Sequence, residues 1–249
     1  MAQELQNKSP LDHRSGIKRM TSMRKQQGFT LIEIAIVLVI IGLLLGGVLK
    51  GQELITAARV RNIASQMDGV KIAYLGFQDR YRVLPGDYAG ALAANNIGGP
   101  TATLGCTIAN ANCQNGRVQN TFENESILAW HQLSRSGFIT GSYDGVGATP
   151  TPLNNPTNPF SGYLQIIFDA EYSDASATPP AVFNVKTGGN IPSSVVAELD
   201  RKIDDGNALT GAVRGNTTWD GATTTCLTGT PAVYNAAADI KTCVGVSIQ

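Results

Sequence analysis

Gly28-Phe-Thr-Leu-Ile-Glu33-Ile-Ala-Ile-Val-Leu-Val-Ile-Ile-Gly-Leu-Leu-Leu-Gly-Gly-Val-Leu49 is the stretch that decides the fold. Arg24 and Lys25 stand just before it, and from Ile34 to Leu49 no side chain is charged or strongly polar. An apolar run of this length crosses most of a bilayer core as a helix, which takes roughly 20 residues. The basic residues ahead of it predict a cytoplasmic N-terminus, with only Lys50 close behind. One carboxylate, Glu33, sits at the mouth of the run. An acid at that depth is costly in lipid and calls for a partner. A secretory signal peptide would place its small-residue cleavage site after the apolar run. Ala57-Ala58, flanked by Gln52, Glu53 and Arg59, fits that role poorly, and the glycine lies before the run instead.

Gly28, Phe29, Thr30, Leu31, Ile32 and Glu33, followed directly by the apolar helix, resemble the start of the type IV pilin and type II secretion pseudopilin family. The clear likeness covers Arg24 to about Tyr81. The resemblance implies cleavage between Gly28 and Phe29 by a prepilin peptidase, which also methylates the new amine of Phe29. Glu33 then lies four residues beyond that amine. It implies a subunit that waits in the inner membrane and is drawn into a filament by a platform protein and an assembly ATPase. Glu33 of one subunit would neutralise the Phe29 amine of a neighbour, because an unpaired desolvated charge is penalised. The competing reading is that Glu33 caps its own helix and favours its dipole. Many family members carry a proline where this chain has Lys50. Here the helix has Gly42, Gly46, Gly47 and Gly51 instead. Glycine weakens a helix interior by about 1 kcal/mol, so the cluster suits local melting; equally, small residues permit close helix packing in a membrane.

The predicted organisation is a leader over 1–28, a membrane and filament-core helix over 29–50, an amphipathic continuation over 51–82, and a periplasmic or extracellular head over 83–249. Met1, Met20 and Met23 are all possible starts, and none changes the mature chain. Of 19 basic and 19 acidic residues, six and two lie within 1–28, leaving 13 against 17, a net of −4. Such a surface offers no electrostatic case for nucleic-acid binding.

Beyond the span, Val60, Ile63, Met67, Val70, Tyr74, Phe77 and Tyr81 alternate spacings of three and four, which draws one apolar stripe along a helix. No proline occurs between Met23 and Leu84. A helix from Phe29 to about Arg80 would be roughly 75–80 Å long. The stripe is expected to pack on the head's own sheet rather than in a coiled coil, because charge logic at flanking positions is missing. Leu84-Pro85-Gly86-Asp87 supplies the helix breakers.

In the head, 88–121 reads as a long connection. Asn124 to Gly137 reads as a short helix capped by Asn124, with Trp130 as a core anchor and His131 as a surface or packing residue. Residues 162–172 and 181–186 read as strands, the first with Leu164, Ile166 and Phe168 alternating against Gln165 and Asp169. A helix capped by Ser193 or Ser194 is expected to Ile203, and 210–215 and 242–248 complete a small antiparallel sheet. The fold class is α+β, which is also the layout the family resemblance implies.

Cys106, Cys113, Cys226 and Cys243 argue for two disulfides in an exported domain. Three pairings exist; Cys106–Cys113 and Cys226–Cys243 are favoured because each closes a short loop. No Cys-x-x-Cys knuckle or nearby histidine supports a metal. Asp200, Asp204 and Asp205 could offer oxygen ligands to calcium, as some pseudopilins do. The competing and favoured reading is a helix ending at a Gly206 turn with solvated acids, so no cofactor is expected. The sequence has no Gly-x-Ser-x-Gly elbow, Walker loop or His-Glu-x-x-His. It therefore reads as a structural subunit and not an enzyme, of a pilus or of a secretion pseudopilus, with a membrane-anchored exported enzyme as the alternative from another class.

Overall fold

The computed structural model describes residues 28–98, 113–119, 125–176, 178–216, 218–219, 222–223, 226–235 and 243–248. Helix α1 runs unbroken over Leu31–Tyr81, as the absence of proline allows. It stops where Arg82 turns left-handed (φ 58°), before the Pro85-Gly86 breaker is reached.

The chain divides into two compact units, the first ending at Leu49 and the second beginning at Lys50. In the first, every described side chain is exposed, including the apolar series from Phe29 to Leu49. Helix α1 is long and apolar enough to cross a membrane. A Cβ added at Gly42, Gly46, Gly47 or Gly51 would meet nothing within 4 Å. Among the described residues nothing therefore requires small residues there.

In the second unit the expected stripe is buried: Val60, Ile63, Met67, Val70, Tyr74 and Phe77, joined by Ala73. Its upper part packs with Trp130, Leu133, Leu164, Ile166 and Val185. Its lower part packs with Ile191, Val195, Val196 and Leu199. Each such side chain contributes about 1.5–3 kcal/mol when fully buried. Tyr81, the last of the series, is half-buried against Phe77. Gly76 is needed for contact: a Cβ there would lie 2.8 Å from Phe138 Cε1.

Among the described residues three further helices follow: α2 (Gly90–Ile97), α3 (Glu125–Arg135) and α4 (Ser193–Ile203). The strands are β1 (Gln165–Asp169), β2 (Val182–Lys186), β3 (Val213–Gly215), β4 (Thr218–Trp219), β5 (Ala222–Thr223), β6 (Leu227–Thr228), β7 (Val233–Tyr234) and β8 (Gly245–Ile248). The main sheet is antiparallel in the order β1-β2-β8-β3, and β4–β5 and β6–β7 form two small ribbons. The architecture is thus α+β.

Four local expectations need correction or limits. Residues 88–121 are not all connection, because α2 forms within them; Ala89 and Ala93 are buried under it. Small alanines seat the helix without the bulky periodicity that would have revealed it. Helix α4 is not capped by Ser193 or Ser194: Pro192 holds the cap position, and the Ser193 hydroxyl bonds the Asn235 carbonyl instead. The Asn124 cap lies outside the described residues, while Gly137 does make the left-handed turn after α3 (φ 79°). Trp130 is fully buried as expected, and of the two readings of His131, surface or packing, the structure shows packing: it is buried, with Nδ1 against the Tyr143 carbonyl.

The polar alternation in β1 does not face solvent. Register places Gln165, Lys186, Val246 and Arg214 in one row across the sheet. Ile166, Val185, Ser247 and Val213 form the next row, on the opposite face. Ile166 and Val185 meet the α1 stripe. The outer face is covered by the segment after β1: the Ser173 N–H bonds the Gly215 carbonyl on β3 at the far edge, and Tyr172 packs on Val244 and Val246. Gln165, Asn184 and Lys186 are therefore all fully buried.

Candidate functional site

The Gly28–Glu33 segment opens α1. Gly28 and Phe29 precede the helix and are exposed. Glu33 Oε2 accepts from the Thr30 N–H and from the Thr30 hydroxyl, each at 2.8 Å. In return the Glu33 N–H donates to Thr30 Oγ1 at 3.3 Å. This reciprocal pair is a capping box, which satisfies two of the N–H groups a helix start leaves open. Glu33 thus does cap its own helix; the signal was Thr30-x-x-Glu33. Only one carboxylate oxygen is used, and Oε1 makes no hydrogen bond among the described residues.

Asp200, Asp204 and Asp205 meet at the end of α4, with ligand oxygens within 4.8 Å of one another. Protein donors already face them. Asp200 accepts from the Tyr234 hydroxyl at 2.9 Å and the Gly206 N–H at 3.1 Å. Asp204 accepts from the Val213 N–H at 2.8 Å. Asp205 accepts from the Thr210 hydroxyl and the Asn207 N–H. Burial pushes the Asp200 carboxyl up, and burial with the Asp200 charge raises the Tyr234 phenol. The Thr210 hydroxyl and the Asn207 N–H lower Asp205. Calcium takes six to eight oxygens, and five of the six carboxylate oxygens here already accept from protein donors. The cluster fits calcium poorly and serves to tie α4 to β3 and β7.

Cys226 and Cys243 form a disulfide that closes a 17-residue separation, with Cα atoms 5.0 Å apart. Both are fully buried against α4 and the lower stripe. Cys113 is also disulfide-bonded; Cys106 lies outside the described residues.

A carboxylate pair, Asp87 and Glu125, lies elsewhere in the head. Buried Asp87 accepts the N–H groups of Asn115 at 3.1 Å and Gly116 at 2.8 Å. Buried Glu125 accepts the Gln119 N–H at 2.7 Å. Together they hold residues 115–119 to the head. Burial raises both, and the Asp87 charge adds to the rise at Glu125, whose carboxyl is pushed up to about 7. Their separation in sequence hides this pairing; only the turn at Gly86, packed under the Glu125 carbonyl, brings them together.

Residues 23–49 match the family model for the prokaryotic N-terminal methylation motif. The chain carries the signature of type IV pilins and pseudopilins. Neither a characterised protein nor a solved structure matches it significantly. In this chain the capping box, the exposed Gly28–Phe29 pair and the exposed apolar part of α1 fall in one continuous segment that overlaps the motif. The α+β head, with the amphipathic half of α1 packed on its antiparallel sheet, agrees with that signature. The motif marks a processed structural subunit with a membrane-anchored precursor, and processing by a prepilin peptidase goes with it.

Proposed function

We propose that the chain is a subunit of a type IV pilus-like filament, cleaved between Gly28 and Phe29, methylated at Phe29 and polymerised through α1. The observation that carries the reading is the methylation motif over 23–49, which takes in the first part of α1, where every described apolar side chain is exposed. An apolar cylinder of this kind is stable in lipid or against other such helices, and not in water. Membrane insertion and a filament core supply those two surroundings in turn. The platform protein and assembly ATPase that move the subunit between them are partners the signature implies.

Glu33 has two tasks in this reading. Oε2 holds the helix start, and Oε1 is left to accept the methylated amine of Phe29 on an adjoining subunit. The pairing fixes register because a desolvated charge without its partner is costly. A large head rich in Gly, Thr and Asn, stapled by disulfide, favours a surface fibre over a periplasmic pseudopilus. Immunogold labelling of cells tests that choice: extracellular fibres are expected, and label confined to the periplasm would assign a secretion pseudopilus. Terminal sequencing of the mature chain tests processing, with N-methylated Phe29 expected first. Glu33→Ala should abolish assembly; fibres of normal number would refute the register role.

A further inference from the structure

We propose that the head carries an internal isopeptide bond between Lys186 on β2 and Asp169 at the end of β1, formed by the folded chain itself. Lys186 is fully buried, and its Nζ lies 2.5 Å from Asp169 Oδ2 and 3.2 Å from Glu171 Oε2. The other Asp169 oxygen, Oδ1, accepts from Asn184 Nδ2 at 2.7 Å and from the Glu171 N–H at 3.2 Å. One carboxyl group therefore has a nucleophile against one oxygen and two donors against the other. The Glu171 side chain is partly exposed (39 %), which leaves a route to solvent.

The arrangement meets the needs of amide formation. Lysine attacks as the neutral amine, and Glu171 is placed to take the proton. Nζ then adds to the Asp169 carboxyl carbon. Charge develops on Oδ1, where Asn184 and the Glu171 N–H already point, as in other oxyanion-stabilising sites. Oδ2 takes two protons from the former ammonium, one relayed through Glu171, and leaves as water. The balance is Lys–NH3+ plus Asp–COO− giving a Lys–NH–CO–Asp amide and one water; Glu171 ends as it began. No oxidant or co-reactant is required.

Two physical terms drive the step. Burial of an ion pair carries a desolvation penalty on both charges, and condensation removes both. Fixed juxtaposition gives effective concentrations of about 10⁵–10⁸ M in well-oriented intramolecular reactions. The product closes a covalent loop over 169–186, which contains the Tyr172 segment that seals the sheet's outer face. The inference is independent of which filament the subunit builds.

Peptide mass spectrometry of the full mature chain, purified in detergent, reduced, denatured and digested with trypsin, tests the bond. Trypsin does not cut after an acylated lysine. The expected product is one peptide from Ser136 to Arg201, uncut at Lys186 and lighter than its sequence mass by about 18 Da, the water released on amide formation. Peptides ending at Lys186 with unaltered mass overturn the proposal. So does a loss of water from a peptide that is still cut after Lys186, which is dehydration of an acid without a link. In Asp169→Asn the link should release ammonia, a loss of about 17 Da; a loss of water in that variant assigns the acyl donor elsewhere and overturns the pairing. Glu171→Gln, at a partly exposed position, should restore normal cleavage at Lys186; full linkage in that variant refutes the role given to Glu171.

Discussion

Replacing Glu125 by glutamine should make the head more stable at neutral and alkaline pH and flatten one step of its pH profile. Glu125 is buried, and its carboxyl is raised from 4.5 to about 7 by burial and by the charge of Asp87. A carboxyl whose folded value lies above its unfolded value binds its proton more tightly in the folded state. Its contribution is fully present below pH of about 4.5 and is lost as pH rises through about 7. At 1.36 kcal/mol per unit, the loss is about 3 kcal/mol. For a protein of this size that corresponds to roughly 6–12 °C in Tm. Glutamine keeps an oxygen for the Gln119 N–H and carries no charge. The assay is thermal unfolding of wild type and Glu125→Gln, in detergent, at a series of pH values from acid to alkaline. The Tm difference between the two should grow in favour of the variant across the interval named, which cancels contributions from other carboxylates. Asp87→Asn should move that interval to lower pH, because the Asp87 charge is part of the cause. A Tm difference that stays constant with pH would refute the reasoning.

Phe77 is fully buried and stacks among Tyr81, Tyr88 and Phe138; Phe77→Ala should cost about 3–5 kcal/mol, read by denaturant unfolding. Replacing Cys226 and Cys243 by serine opens a 17-residue loop and should cost about 3 kcal/mol, seen as a Tm below that of oxidised wild type. Calcium added to the mature chain should give neither heat nor a thermal shift, since donors already occupy five of the six Asp200–Asp204–Asp205 oxygens; a clear rise in Tm would refute that account.

The methylation motif, the helix over Leu31–Tyr81 and its buried stripe were legible from residues alone. Each depends on spacing along one helix, and a period of 3.6 residues is fixed by backbone geometry whatever else folds around it. Helix α4 and the strands β1, β2 and β8 were found for a similar local reason. What spacing cannot report is which neighbour covers a face. Gln165 and Asp169 alternate with the apolar residues of a strand; Gln165 is enclosed and Asp169 half-buried because residues 170–173 cross to β3 and bring Tyr172 over the sheet. Thr30 engages Glu33 because the helix start needs a cap, a demand readable in Thr30-x-x-Glu33. The apolar helix, its methylation motif and its amphipathic continuation are all set by short-range order along the chain. The burial of Lys186 between two carboxylates and the meeting of Asp87 with Glu125 follow from folding alone, because burial and charge pairing depend on contacts between residues far apart in the chain.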